Sequence, residues 1–249
     1  CLSLFLSKEE VILGIAIDII TTSNTSTTNN STNNAGVFVI SSGAVYGATA
    51  LSMYGGAQIS VSGGHIYATS GNAIKLNSTH TGTLTITGGT IGSTSYAITA
   101  ISANGSGSVS MTGGSLLSGA MTTVYHNSTG TVTLASGTVK SSTTGIHVLN
   151  VGTLNLGKSG NTGTLSLSTS GAGSAAIICG KNEVGSNSLC RVYKGATITS
   201  SAGKVLKNYS ADFRMYSGGK AECTTTSSYY CMENKQTTYT SSTCTQLGN

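Results

Sequence analysis

Apolar and polar residues alternate along two stretches of the chain that are close copies of each other. Residues 83–91 are TLTITGGTI, and residues 108–116, 25 positions further on, are SVSMTGGSL. In the first copy Leu84 and Ile86 alternate with threonines. This two-residue period, in a segment rich in Thr and Ile, predicts a β-strand with one buried face.

The same motif recurs along most of the chain at a nearly constant distance. The glycines that precede its second apolar pulse are spaced by 21, 25, 25 and 23 residues; they are Gly43, Gly64, Gly89, Gly114 and Gly137. Each copy carries three apolar pulses separated by Gly, Asn and hydroxyl residues, and looser copies continue to residue 222. Self-similarity at this period is typical of a solenoid. Three short strands per repeat predict an all-β parallel β-helix whose coils stack about 4.8 Å apart.

The alternation and the glycines each predict a stacked column. We expect six apolar side chains to point inward in two columns, namely Leu84, Ile86, Val109, Met111, Val132 and Leu134. Four doubled glycines are expected to stack in a column at one corner of the coils, because glycine adopts a positive φ without a Cβ clash. These pairs are Gly63-Gly64, Gly88-Gly89, Gly113-Gly114 and Gly218-Gly219.

The pattern divides the chain into three segments. Residues 1–36 are interpreted as an incomplete first coil, with an exposed Thr/Asn-rich loop at 21–34. Residues 37–222 are predicted to form the β-helix. Residues 223–249 lose the repeat and contain three cysteines, so we expect a Cys-containing cap, which solenoids need to blunt an open strand edge.

Composition and charge exclude several classes of protein. Charged residues are only 8% of the chain, against about 25% in ordinary domains. The longest apolar run, 11–20, is interrupted by Asp18 and falls short of the ~20 residues of a membrane-spanning segment. The net charge of +5 comes from thinly scattered basic residues, which argues against a nucleic-acid partner. A carboxyl-terminal basic group is interpreted as a solvated end; it comprises Lys181, Arg191, Lys194, Lys204 and Lys207.

Acidic residues are absent from the central repeats. There are seven in the whole chain, and none between residues 19 and 182; they are Glu9, Glu10, Asp18, Glu183, Asp212, Glu222 and Glu233. The central coils therefore lack the carboxylate pair of a glycosidase and the carboxylates of a calcium site. We predict no catalytic residue, no metal and no cofactor. Four histidines differ in their offset from the coil glycines, so we expect them scattered on the surface; they are His65, His80, His126 and His147.

Six cysteines, five of them in the last 71 residues, indicate disulfides rather than a metal site, because none forms a CxxC pair. Disulfides imply an oxidising compartment, hence an extracellular or cell-surface location. We favour Cys179–Cys190 and Cys223–Cys231 among the 15 possible pairings, with buried thiols as the alternative. No signal peptide is visible ahead of the repeats and the chain starts with Cys1, so we expect a processed product.

Two sets of outward residues are candidate binding surfaces. Tyr46 and Tyr67 share one offset from their coil glycines and are expected to stack, either as a structural pair or as a sugar-binding aromatic platform. A ladder of mostly hydroxyl side chains is predicted on one face, in two columns; its members are Thr83, Thr85, Ser108, Ser110, Thr131, Thr133, Thr153 and Asn155. Threonine is also a common exposed strand residue, so the ladder has a structural interpretation as well.

The coil motif over residues 37–222 resembles the right-handed parallel β-helix regions of bacterial secreted and cell-surface proteins, which include adhesin-like and pectin-lyase-like chains. The lyases of that group hold calcium with acidic residues on their coils, and these are missing here. The resemblance implies a non-catalytic structural or adhesive module whose partner is a glycan, a cell surface or a second copy of the chain. Two alternatives stay open. The Thr/Ser ladder resembles the ice-binding face of β-solenoid antifreeze proteins, and a lyase or hydrolase could act through other residues.

Overall fold

The computed structural model describes most of the repeat region in full. Full description covers residues 37–149, 152–160, 163–172, 175–180, 188–209 and 211–223, and four further strands are described at the level of the backbone. The predicted loop at 21–34 and most of the predicted cap lie outside the described residues.

The described chain is a succession of 27 short strands. The first nine are β1 (Ser3–Leu6), β2 (Val11–Ile12), β3 (Ile17–Ile19), β4 (Val37–Ile40), β5 (Ala44–Gly47), β6 (Leu51–Met53), β7 (Gln58–Val61), β8 (His65–Ala68) and β9 (Asn72–Leu76). The next nine are β10 (Thr83–Ile86), β11 (Thr90–Ser93), β12 (Thr99–Ala103), β13 (Ser108–Met111), β14 (Ser115–Ser118), β15 (Val124–His126), β16 (Thr131–Leu134), β17 (Gly137–Ser141) and β18 (Ile146–Val148). The last nine are β19 (Thr153–Leu156), β20 (Leu165–Thr169), β21 (Ala175–Cys179), β22 (Leu189–Val192), β23 (Ala196–Ser200), β24 (Lys204–Asn208), β25 (Asp212–Met215), β26 (Lys220–Cys223) and β27 (Met232–Asn234).

Every third strand belongs to the same sheet. The first sheet begins with β1, the second with β2 and the third with β3, and each contains nine parallel strands in chain order. The described residues contain no α-helix. The predicted all-β parallel β-helix with three strands per coil is therefore confirmed, whereas its right-handed sense stays a prediction, the usual one for parallel crossovers.

The core consists of the inward apolar columns that the alternation predicts. Leu84 pairs with Val109 and Ile86 with Met111, while their threonine neighbours pair with serines on the outside. All six predicted core side chains are at most 1% exposed. Because a one-residue slip would turn every side chain of a strand to the other face, this burial confirms the register.

Glycines occupy the corner between the first and second sheets, as predicted. Gly64, Gly89 and Gly114 have φ of 72°, 77° and 84°, and Gly218 has 84°. A Cβ on Gly114 would lie 2.8 Å from the carbonyl carbon of Gly88 in the preceding coil. The corner therefore needs glycine for two reasons, the left-handed backbone and the close approach of successive coils.

Sheet pairing extends beyond the segment 37–222 at both ends. β1, β2 and β3 pair with β4, β5 and β6, one in each sheet. At the other end β27, from the segment predicted to be a cap, pairs with β24 in the third sheet. The exact domain boundaries stay a prediction.

Candidate functional site

Three aromatic rings form a cluster on the outer face of the second sheet. Tyr46 and Tyr67 pair directly across β5 and β8, and their rings stack with centroids 5.1 Å apart and planes 9° from parallel. The ring of His65 lies 4.7 Å from that of Tyr67. Equivalent positions on successive coils are about 4.8 Å apart, so two tyrosines at one offset stack with little change in rotamer. The predicted stacking of this pair is confirmed. We call the three residues the aromatic platform.

A hydrogen bond holds the platform in place on the sheet. Nε2 of His65 donates to the carbonyl oxygen of Gly92 at 2.9 Å, which fixes the orientation of the imidazole beside Tyr67. All three residues are half-buried. Charge is absent from the surrounding second-sheet strands β5, β8, β11 and β14, whose residues include no Lys, Arg, Asp or Glu. The result is an aromatic surface on strands that carry no acidic residue, lysine or arginine.

The hydroxyl ladder lies on the outer face of the first sheet. Register pairs Thr85 with Ser110, Ser110 with Thr133, and Thr133 with Asn155 in one column. All eight predicted members are half-buried. Some of them bond to one another: the hydroxyls of Thr83 and Ser108 are 3.1 Å apart. The Asn155 amide likewise donates to the Thr133 hydroxyl at 3.3 Å. The ladder lies on the outer face, as the alternation of apolar and polar residues predicts. Some of its hydroxyl and amide groups are already hydrogen-bonded to each other.

The prediction that all four histidines lie on the surface is wrong for two of them. His80 and His126 are completely buried near the corner between the third and first sheets. Each ring lies where the following coil has a glycine: a Cβ on Gly107 would contact the His80 ring, and one on Gly152 would contact His126. The sequence argument compared offsets from the other corner, which is why it missed this space. A usable signal existed, because His126 pairs with apolar Ala103 and Val148 in an inward column.

His126 belongs to a short chain of hydrogen bonds. Its Nε2 donates to the carbonyl of Gly130 at 3.1 Å, so Nδ1 accepts from the Ser128 hydroxyl at 3.1 Å. Ser128 also accepts from the backbone N–H of Gly130 and is only 6% exposed. Burial lowers the pKa of His126 to about 4 and also lowers the pKa of His80 and of His147. Because the Ser128 hydroxyl is almost completely buried, this serine–histidine pair has a structural role at the corner of the coil.

A shallow polar groove runs along the same corner. Its lining is Ser78, Asn104, Gly105, Ser106, Asn127, Ser128 and Thr129. The asparagine amides are engaged in the framework: Asn104 Nδ2 donates to the Ser102 hydroxyl at 3.0 Å, and Asn77, one coil earlier, donates to Ser52 at 2.8 Å. Asn77 and Asn104 thus follow strands of successive coils and are held in the framework, which accounts for the polar groove beside them.

The cysteines of the carboxyl-terminal coils form disulfides. Cys179 and Cys190 are bonded, as predicted, and link β21 to β22. Cys223 is also disulfide-bonded, but its predicted partner Cys231 lies outside the described residues. Disulfides persist in oxidising environments. This bonding is compatible with an extracellular protein.

The part of the chain that the structure describes contains neither a cluster of metal ligands nor a membrane-spanning helix. There, His, Cys, Asp and Glu side chains nowhere gather in a group of three that could hold a metal ion. Within the same residues no helix has the length and apolar character needed to cross a membrane. Comparison with known proteins found no matching family model, no similar curated protein and no similar solved structure.

Proposed function

We propose that this chain is a non-catalytic extracellular or cell-surface module that binds neutral glycans through the aromatic platform. Its role would then be adhesive, like that of the adhesin-like β-helices of bacterial surface proteins that its coils resemble. The observation that carries the proposal is the Tyr46–Tyr67–His65 cluster on an uncharged outer face.

The chemistry of the platform suits a sugar ring better than a charged ligand. A pyranose presents an apolar C–H face that packs on an aromatic ring, and hydroxyls at its rim that need polar partners. Thr90, paired with His65 on the next coil, provides a hydroxyl beside the rings. The rings are already ordered by stacking and by the His65–Gly92 bond, so little conformational entropy is lost on binding.

Removing either tyrosine of the platform should weaken glycan binding. We expect Tyr46→Ala and Tyr67→Ala each to weaken binding of the purified chain to its best ligands on an array of neutral glycans by roughly tenfold, as for a central aromatic contact. Tyr96→Ala is the matched control, because Tyr96 is 41% exposed and is not part of the platform. Equal losses in Tyr67→Ala and Tyr96→Ala, or wild-type binding by Tyr67→Ala, would refute the platform as the site.

The absence of catalysis is supported by the chemistry that the central coils lack. No Asp or Glu lies between residues 19 and 182, and Ser128 and His126 are only 6% and 0% exposed. We expect no cleavage when the chain is incubated with pectic, cellulosic and chitinous polysaccharides and the reducing ends are counted. Cleavage that disappears on substitution of one central-coil residue would overturn the proposal.

Ice binding is the weaker candidate for the hydroxyl ladder. A face that orders water needs free, regularly spaced hydroxyls, whereas the Thr83–Ser108 and Asn155–Thr133 contacts engage some of them. The same columns also become charged at Asp212, Arg191 and Arg214 towards the carboxyl-terminal end. We therefore expect no thermal hysteresis from the purified chain.

A further inference from the structure

A second stacked tyrosine pair lies at the other end of the solenoid. Tyr193 and Tyr216 directly follow β22 and β25, at the corner between the first and second sheets. Their ring centroids are 4.6 Å apart and their planes differ by 3°. Tyr216 is 39% exposed. Sequence reasoning missed this pair, although each tyrosine stands two residues before a corner glycine, Gly195 and Gly218.

Basic side chains surround this pair, unlike the aromatic platform. Arg191 and Arg214 pair across β22 and β25, two residues before each tyrosine. Lys194 is exposed, and its stem packs over Gly218, where a Cβ would lie 2.8 Å from Cγ of the lysine. We call Arg191, Tyr193, Lys194, Arg214 and Tyr216 the basic corner.

One carboxylate, that of Asp212, lies beside the basic corner, and the net charge of the group stays positive. Arg214 makes a bidentate contact with Asp212, in which the Arg214 Nη2 donates to Asp212 Oδ2 at 2.6 Å. Asp212 has a lowered pKa, chiefly through this bond, so it is ionised at neutral pH. Three positive side chains against one carboxylate give a net charge of +2 for the six residues.

Arg191 is the cation that this carboxylate does not neutralise by contact. It is half-buried, and its Nε is covered yet has no hydrogen-bond partner among the described residues. In the adjoining coil Asn155, its register partner, likewise has a covered Oδ1 without a partner there. The expectation of a simple solvated end therefore fits Lys194 but not Arg191.

We propose that the basic corner is a second ligand site and that it binds a glycan bearing carboxylate or sulfate groups. The stacked tyrosines offer a sugar the same apolar contact as the aromatic platform, and the cations select for negative charge. The proposal rests on the proposed function only in assigning a glycan as the ligand class. It concerns different residues at the opposite end of the chain.

A single-stranded nucleic acid has related chemistry but fits less well. Nucleic-acid grooves track several phosphates with a row of cations and stack bases on open aromatic faces. Here only three cations are present, and they lie together at one corner of two adjoining coils. The Cys179–Cys190 disulfide also ends on β22, next to Arg191, which is compatible with an extracellular location.

Binding of the full chain to heparin and to polygalacturonate tests the proposal, with dextran as the uncharged probe. We expect a Tyr67→Ala chain, in which the aromatic platform is disrupted, to bind one or both acidic polymers but not dextran. Its binding should weaken as NaCl rises from about 0.05 M to about 0.5 M. Arg191→Ala and Tyr216→Ala should each weaken binding roughly tenfold. Lys140→Ala and Tyr96→Ala are the control variants, since they remove an exposed cation and an exposed tyrosine elsewhere on the chain, and should change binding less than about twofold.

Every other outcome counts against the proposal. No binding to either acidic polymer, equal binding of the Tyr67→Ala chain to dextran, or equal losses in Arg191→Ala and Lys140→Ala would overturn it. Tighter binding of an oligothymidylate than of both glycans would replace it with a nucleic-acid site. Failure of the proposed function shows instead as unchanged neutral-glycan binding in Tyr67→Ala, an outcome that does not affect the heparin and polygalacturonate results. Circular dichroism of each variant checks that it is folded.

Discussion

Gly114→Ala should destabilise the protein by about 2–4 kcal/mol, through backbone strain and a clash that no rotamer change can relieve. Gly114 has φ of 84°, and a Cβ there would lie 2.8 Å from backbone carbon and oxygen of Gly88. Because the atoms in the way belong to the main chain of the preceding coil, the coils must separate locally. The measurement is the free energy of unfolding in urea.

Gly160→Ala separates the two causes. Gly160 also has a positive φ, 75°, but a Cβ there would meet nothing within 4 Å. Its substitution should therefore cost only the left-handed strain, about 1 kcal/mol. If both variants lost the same stability, the close approach of the coils at the glycine corner would contribute nothing.

Acidification should destabilise the fold by about 3 kcal/mol through His126 alone. The pKa of His126 is about 4 in the folded protein, below the ordinary 6.5, because the ring is buried. Between these values the unfolded chain binds a proton that the folded chain does not. Stability is therefore fully present above about pH 6.5 and declines as the pH falls to about 4. His80 and His147, whose pKa values are also lowered, act in the same direction.

His126→Leu tests this assignment. Leucine suits a column whose neighbours are Ala103 and Val148, although Ser128 and Gly130 lose their partner and stability at neutral pH should fall somewhat. The decline between pH 7 and pH 4 should become about 3 kcal/mol smaller in the variant. In wild type, one histidine NMR resonance should titrate near pH 4 and be missing from His126→Leu. Parallel stability curves for the two proteins would contradict the assignment.

The sequence determined the solenoid because each coil packs on a copy of itself. Leu84 and Val109 each stand between two hydroxyl residues, and this alternation decides which side chains face inward on every coil. Leu84 therefore lies beside Val109 in the core. The glycine spacing likewise marks a corner where neighbouring backbones touch. In a repeat of this kind the pattern within one coil already specifies the contacts between coils. The Tyr46–Tyr67 stack followed from that rule, since both share one offset.

Only the tertiary structure decided the features that depend on the shape of the corners. The repeats differ in length, from 21 to 25 residues, because their turns differ in length. The distance in sequence from the corner glycine therefore does not say which side chains meet at the other corners. His126 was therefore misplaced on the surface, although it fills space left by Gly152 and bonds to Ser128 and Gly130. The pairing of Cys179 with Cys190 was likewise only one of the possibilities until the structure brought β21 and β22 together. Strand alternation is a local property, whereas the meeting of side chains across a turn depends on the path of the whole coil.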